Sequence, residues 1–307
     1  MDAGIVETHA DSNSDLQIHD FRHYVKHREN SKGKRNSGGI AVYIRKTIIG
    51  GTSFVISRNK NILWLKLDKS FFDLDKDLYL GTVYISPNTS QVIDQELLDD
   101  TESEIVNFTL KGDVILQGEF NVRTGSMQEF RVHDDDNQFL EIPEDYEIDT
   151  ENYRYSQDEN TTNSRGRILI DLCTALSLRI LNGRVVGDLT GKKTCFKYNG
   201  SSVVDYVIIS SRILRYVNYF IINDLERHRY LSDLCSLSFA LMLKHKKRCS
   251  GKQPDEITLS EFKKLVWDDN AKYKLSRLLE STETKNRLNT ALNNNDVDAM
   301  TELFTQN

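Results

Sequence analysis

The stretch Val114-Ile115-Leu116-Gln117-Gly118-Glu119-Phe120-Asn121 constrains the fold of this chain more than any other. An apolar run of strand length that stops at glycine, an acid, an aromatic ring and asparagine predicts a buried strand ending in a tight turn. That turn presents a carboxylate and an amide side by side, and rigid strand ends are where folds aim reactive groups at a substrate. Neighbouring segments supply partners for such a strand. Residues 61–67 and 78–85 alternate apolar and polar side chains and predict sheet hairpins; Gly38-Gly39 ahead of residues 40–44 predicts a turn into a further strand. Residues 95–110 carry Leu97, Leu98, Ile105 and Phe108 at helical spacing and lead into the Val114 strand.

Downstream, residues 166–177 predict a second helix with Ile168, Leu169, Leu172 and Leu176 on one face. Strands are expected over 179–182, 193–198 and 202–210, with Asn199-Gly200 as a hairpin signal, and again over 220–223 and 235–243. Strands clustered with two or three covering helices predict two packed sheets flanked by helices. The expected organisation is one domain over residues 1–243 with an acidic, polar insertion at 126–163. A basic linker at 244–257 and a helical tail at 258–307, opened by the capping box Thr258-x-x-Glu261, follow it.

Composition narrows the functional classes. Charged residues make up 28% and hydrophobic residues 38% of the 307, which fits a globular chain, neither disordered nor membrane-embedded. The longest apolar runs are strand-sized and no apolar leader follows a basic start, so a nuclear or cytoplasmic location is expected. Cys173, Cys195, Cys235 and Cys249 are widely spaced and form no C-x-x-C pair, which predicts reduced structural thiols. The net charge of −6 argues against a dedicated DNA-binding protein. Yet Arg22, Lys26, Arg28, Lys32, Lys34 and Arg35 form one basic segment and Lys244, Lys246, Lys247 and Arg248 another. Either could touch a phosphate backbone, and for each alone a solvated loop is the competing reading.

Four further motifs accompany the Gly-Glu-Phe-Asn turn: Val6-Glu7-Thr8-His9, Val83-Tyr84-Ile85-Ser86-Pro87-Asn88, Val203-Val204-Asp205-Tyr206 and Ser232-Asp233-Leu234-Cys235. In that order and at these spacings, the set resembles the endonuclease/exonuclease/phosphatase superfamily. It is most similar to the apurinic-type endonuclease domain of non-LTR retrotransposon proteins. Asn163-x-Arg165-Gly166-Arg167, Leu181-Asn182-Gly183-Arg184 and Val266-Trp267-Asp268 extend the resemblance over nearly the whole chain. It implies an α+β fold, a four-layer αββα sandwich of two mostly antiparallel sheets. It also implies a Mg2+- or Mn2+-dependent nuclease that nicks DNA, originally part of a longer polyprotein with a reverse transcriptase.

Residue by residue, the resemblance makes Glu7 a metal ligand and Asp233 a second contact to the metal or its water. Tyr84 would approach the scissile phosphate, Asn121 would hold phosphate and the attacking water, and Asn88 would join them in binding substrate. Asp205 would orient a catalytic histidine, and Glu119 would act on the water or the leaving group. Two catalytic positions depart from the pattern. Glu119 stands where the family has aspartate, one methylene longer, and a displacement of about 1 Å can cost on the order of 10²-fold in rate. Leu234 stands where the family has histidine, and leucine neither donates a hydrogen bond nor carries charge. The family also opens with a strand ahead of the Glu motif, whereas six residues precede Glu7 here, so that strand and its metal-site residue are expected to be missing, exposing a sheet edge. The expected function is therefore a DNA-nicking endonuclease domain with impaired catalysis. Its alternative is a silent remnant acting as a nucleic-acid- or protein-binding module.

Overall fold

The structure, a computed structural model, describes residues 3–11, 13–27, 38–57, 59–87, 91–130, 152–158, 161–223, 232–243, 285, 286 and 290. Two compact units make up the chain, Met1–Arg248 and Cys249–Asn307. In the second, residues 285, 286 and 290 are helical; the expected linker and the rest of the tail lie outside the described residues. The first unit carries the sheets.

In chain order its elements are β1 (Ala3–Val6), β2 (Phe21–Lys26), β3 (Ile40–Arg45), β4 (Thr52–Val55), β5 (Ile62–Leu67), the one-turn helix α1 (Lys69–Phe72) and β6 (Leu78–Tyr84). Then come α2 (Gln91–Lys111), β7 (Asp113–Glu119), α3 (Ser164–Ala175) and β8 (Leu178–Ile180). The last are β9 (Cys195–Lys197), β10 (Gly200–Ser202), β11 (Asp205–Ser210), β12 (Val217–Ile222) and β13 (Leu237–Leu241). Six strands form the main sheet in the order β4-β5-β6-β7-β11-β8. All its pairs are antiparallel except β6 and β7, which run parallel because α2 carries the chain back between them.

Strand alternation gives this sheet two apolar faces. On one, Ile62, Trp64, Val83, Val114, Leu116, Tyr206 and Ile208 pack against Ile105 and Phe108 of α2 and Leu169, Ile170 and Cys173 of α3. Each such side chain contributes about 1.5–3 kcal/mol when fully buried. The other face is covered by strands. Leu63, Leu65 and Tyr84 meet Ile40, Val42 and Ile44 of β3, while Ile115, Val207 and Ile209 meet Phe220 and Ile222 of β12. The covering layer comes in two pieces, a three-stranded sheet in the order β1-β3-β2 and the pair β12-β13. β1 pairs with β3 alone, and its residues 3–5 are exposed.

The α+β class and packed sheets agree with the sequence reading. Three local differences have physical causes. The strand expected over 202–210 is broken at Val203-Val204, because the backbone N–H groups of Val204 and Asp205 both donate to the Thr194 hydroxyl, at 3.1 and 3.2 Å. α3 buries Leu169, Ile170 and Cys173, with Leu172 and Leu176 only partly packed. Lys26, counted in the basic segment, points inward: its ammonium donates to the carbonyls of Asn59 and Ile62, at 2.6 and 2.7 Å, and is not available to a phosphate. The segment expected as an insertion is described at its ends. There Glu129 and Arg154 are buried, and residues 131–151 lie outside the described residues. Cys173, Cys195 and Cys235 are free thiols, and Cys249 lies outside the described residues. Among the described residues, no helix is long and apolar enough to cross a membrane.

Candidate active site

Register places three of the motif residues in one row. Tyr84 on β6 is paired with Glu119 on β7, and Glu119 with Asp205 on β11. Residues paired across adjacent strands share a face, and alternation puts this row on the face that also carries Ile115, Val207 and Ile209. The covering layer therefore meets it. Glu7 follows the last residue of β1, and its Oε1 accepts a 2.5 Å hydrogen bond from the Tyr84 hydroxyl. One side chain from the covering layer thus completes a row built on the main sheet.

Tight backbone geometry holds these positions. Glu7 has φ 53° and Asn121 φ 52°, left-handed conformations that cost a non-glycine residue about 1–3 kcal/mol. The Glu7 turn is tied to the Gly38-Gly39 turn by His9 N–H donating to the Gly38 carbonyl at 2.9 Å. Gly118 precedes Glu119 with φ 132°, and a Cβ there would stand 2.1 Å from the Val83 carbonyl oxygen. No other residue lets β7 approach β6 so closely at that point.

Beyond the strand end, the Asn121 amide donates to Glu119 Oε1 at 2.6 Å and to the Ile85 carbonyl at 2.7 Å. The amide donates once to the Glu119 carboxyl and once to the Ile85 backbone, so Asn121 acts here as a positioning residue. Asp205 is held through its backbone as well: Asn182 donates to its carbonyl at 3.1 Å and accepts from Val207 N–H at 3.2 Å.

The row crowds like charges in a dry place. Burial, reinforced by the charge of Glu7 and only partly opposed by the Asn121 hydrogen bond, lifts Glu119 to about 7. Burial lifts Asp205 further, to about 8, against a hydrogen bond from Thr194 and with help from Glu119 and Glu7. Glu119 Oε2 and Asp205 Oδ2 are buried with no hydrogen-bond partner. Leu234, where the sequence resemblance leads one to expect a histidine, pairs with Cys195 through an isolated bridge, and its side chain has no hydrogen bond to offer Asp205.

Asp233 stands apart from the row. Its carbonyl accepts from Phe196 N–H at 2.8 Å, its side chain is exposed, and its charge acts on Cys195. Asn88 lies outside the described residues. Sequence reasoning passed over two residues at this site. Thr194 hydrogen-bonds Asp205 from eleven positions upstream, and no local pattern marks it. Lys197 is the cation whose charge reaches both Glu119 and Asp205, and a lone lysine beside a hairpin signal reads as a solvated side chain.

Among the described residues, no group of three or more His, Cys, Asp or Glu is closed around a metal position. The two unpartnered carboxylate oxygens, with Glu7 near enough to raise both groups, nevertheless fit a hard divalent ion. Such an ion needs only one or two carboxylates and fills its shell with water and substrate oxygens.

No protein-family model and no curated protein matches the chain. Solved structures do. A 3′ phosphatase from Neisseria, bound to a product DNA hairpin, superposes with a TM-score of 0.53 at 12% identity, covering 78% of this chain and 88% of its own. A 3′-5′ exonuclease from Neisseria meningitidis gives 0.52 at 13% identity, over 78% and 88%. An AP endonuclease from Leishmania major gives 0.50 at 13% identity, over 78% and 77%. The chain has the fold of these nucleases, the endonuclease/exonuclease/phosphatase fold.

Proposed function

We propose that this chain is a divalent-metal-dependent phosphodiesterase domain that nicks DNA, of non-LTR retrotransposon type, with its catalysis weakened. The observation that carries the proposal is the convergence of Glu7, Tyr84, Glu119 and Asp205, from positions nearly 200 residues apart, on one face of the main sheet with Asn121 fixing Glu119. A fold shared with a phosphatase that binds a DNA hairpin and with an AP endonuclease supports a nucleic-acid substrate. The retrotransposon origin, with a reverse transcriptase in the same polyprotein, rests on the motif order in the sequence.

Bound magnesium or manganese would offset phosphate charge and polarise a water. Glu7 would be the carboxylate that holds such an ion, and Asp233, beside β9 and apart from the row, would contact the ion or its water. Glu119, lifted to about 7, holds or releases a proton at its free Oε2 near neutral pH, which suits a group acting on water or the leaving oxygen. Tyr84 orients Glu7 through their hydrogen bond and stands where a phosphate oxygen would approach. Asp205 has no imidazole to orient, and its free Oδ2 is why catalysis is weak.

The test is supercoiled-plasmid nicking by the purified chain in magnesium, beside Glu7→Ala and an EDTA control. Slow nicking that vanishes in both controls is expected; nicking that survives both sinks the metal-site assignment. No nicking by a chain with native circular dichroism would leave the second reading, a silent remnant that binds nucleic acid or protein, which the unpartnered Asp205 also favours.

A further inference from the structure

Lys197 occupies a place that neither the motifs nor the row accounts for. It ends β9, and its opposite number on β10 is Gly200, around which a side chain would meet nothing within 4 Å. Nothing across the hairpin therefore covers its stem. Alternation along β9 puts Lys197 on the same side as Cys195. Cys195 is the residue that pairs with Leu234, and its thiol is buried near enough to Asp205, Glu119 and Asp233 to feel all three charges. The Lys197 backbone thus stands one strand repeat along β9 from the residue that pairs with Leu234. The Lys197 charge lies within Coulombic reach of both Glu119 and Asp205 and opposes their upward shifts. Among the described residues it is committed to no ion pair, while its side chain remains exposed. A free cation beside buried carboxylates, open to solvent on its other side, is arranged to meet a second anion.

We propose that the Lys197 ammonium is the phosphate-facing cation of this site, carrying onto the substrate the positive charge that Leu234 cannot supply. The proposal rests on the phosphodiesterase reading and gives it a substrate-contacting residue absent from its motifs. A long, flexible ammonium reaches a phosphate oxygen as a point charge, without the fixed direction of an imidazole. It restores charge neutralisation without restoring the orientation of Asp205.

The experiment compares the full chain with Lys197→Met, Lys197→Arg and the double variant Lys197→Met/Leu234→His. Two readouts are used: plasmid nicking in magnesium, and binding of a 20-base-pair duplex in EDTA across a salt series. Lys197→Met is expected to nick on the order of 10²-fold more slowly, with Lys197→Arg near the parent and the double variant recovering activity. In binding, Lys197→Met should flatten the slope of log K against log salt by about 0.9, the loss of one phosphate contact. Parental nicking and an unchanged slope in Lys197→Met would overturn the proposal while the phosphodiesterase reading stood. A parent that binds no duplex at low salt would overturn both. If the parent binds but does not nick, the slope alone decides: unchanged in Lys197→Met, it overturns the proposal.

Discussion

Two clusters of buried ionisable groups among the described residues, around Glu129 and around Glu119, are handled in different ways. Near the end of the main sheet, Glu129 is fully buried with cations around it. Arg184 pairs with its Oε1, Arg154 stands 3.4 Å from its Oε2, and Ile180 N–H donates to Oε1 at 2.6 Å. Arg179 adds a hydrogen bond to the Glu129 carbonyl at 3.1 Å. On the covered face, Glu7, Glu119 and Asp205 gather three carboxyl groups, with no hydrogen-bond partner at Glu119 Oε2 or Asp205 Oδ2. The first cluster is closed in the sense that each oxygen of Glu129 faces an arginine of the same chain, and it ties residues 126–130 and 152–156 to β8. The second is open, and its cancellation depends on something brought from outside. The two clusters thus differ in the sign of their neighbours, cations around Glu129 and carboxyl groups around Glu119.

That contrast can be broken at three points. The largest effect is expected from Glu129→Ala, which strands Arg154 and Arg184 in a dry interior. A loss of about 3–5 kcal/mol in urea unfolding is expected, whereas a loss below about 1 kcal/mol would mean the cluster is no structural clamp. Next, Leu234→His combined with Glu119→Asp should close the open cluster and raise plasmid nicking on the order of 10²-fold. No gain from a folded double variant would show that the missing imidazole does not limit the site. The third point is pH. Glu119 and Asp205 keep their protons in the folded chain up to about 7 and about 8, while the unfolded chain releases them near 4.5 and 3.8. Between these limits the unfolded state binds fewer protons, so stability falls as pH rises. Melting in EDTA should therefore drop in temperature from pH 5 to 8, and Asp205→Asn should remove most of the drop. A midpoint that rises with pH would reverse the assignment.

The open cluster was far more legible in the sequence than the closed one. Glu7, Tyr84, Glu119 and Asp205 each sit at or beside a strand end, and short motifs announce strand ends. The strands themselves were readable as short apolar runs, as at residues 61–67 and 78–85, because both faces of the main sheet are buried against another layer. Glu129, Arg154 and Arg184 belong to polar stretches separated by up to 55 positions, and a charge that will be buried looks locally like one that will be solvated. Lys26 shows the reverse error: it was counted with surface cations, and three-dimensional closure turned it onto backbone carbonyls. Thr194 and Lys197 were missed because their meaning depends on β9 lying against Asp205 and Leu234, a long-range fact with no local trace.

The row across β6, β7 and β11 also sets a timetable for the growing chain. Tyr84 and Glu119 can be aligned once β7 has been synthesised, but Asp205 takes its place only when β11 has left the ribosome. Contacts of such long sequence separation form late and slowly. Until then β7 lacks its neighbour on one side, and Glu119 stands in water as an ordinary acid. A nascent or prematurely terminated product that stops before Asp205 therefore holds the row unfinished, with Tyr84 and Glu119 in place and their third member absent.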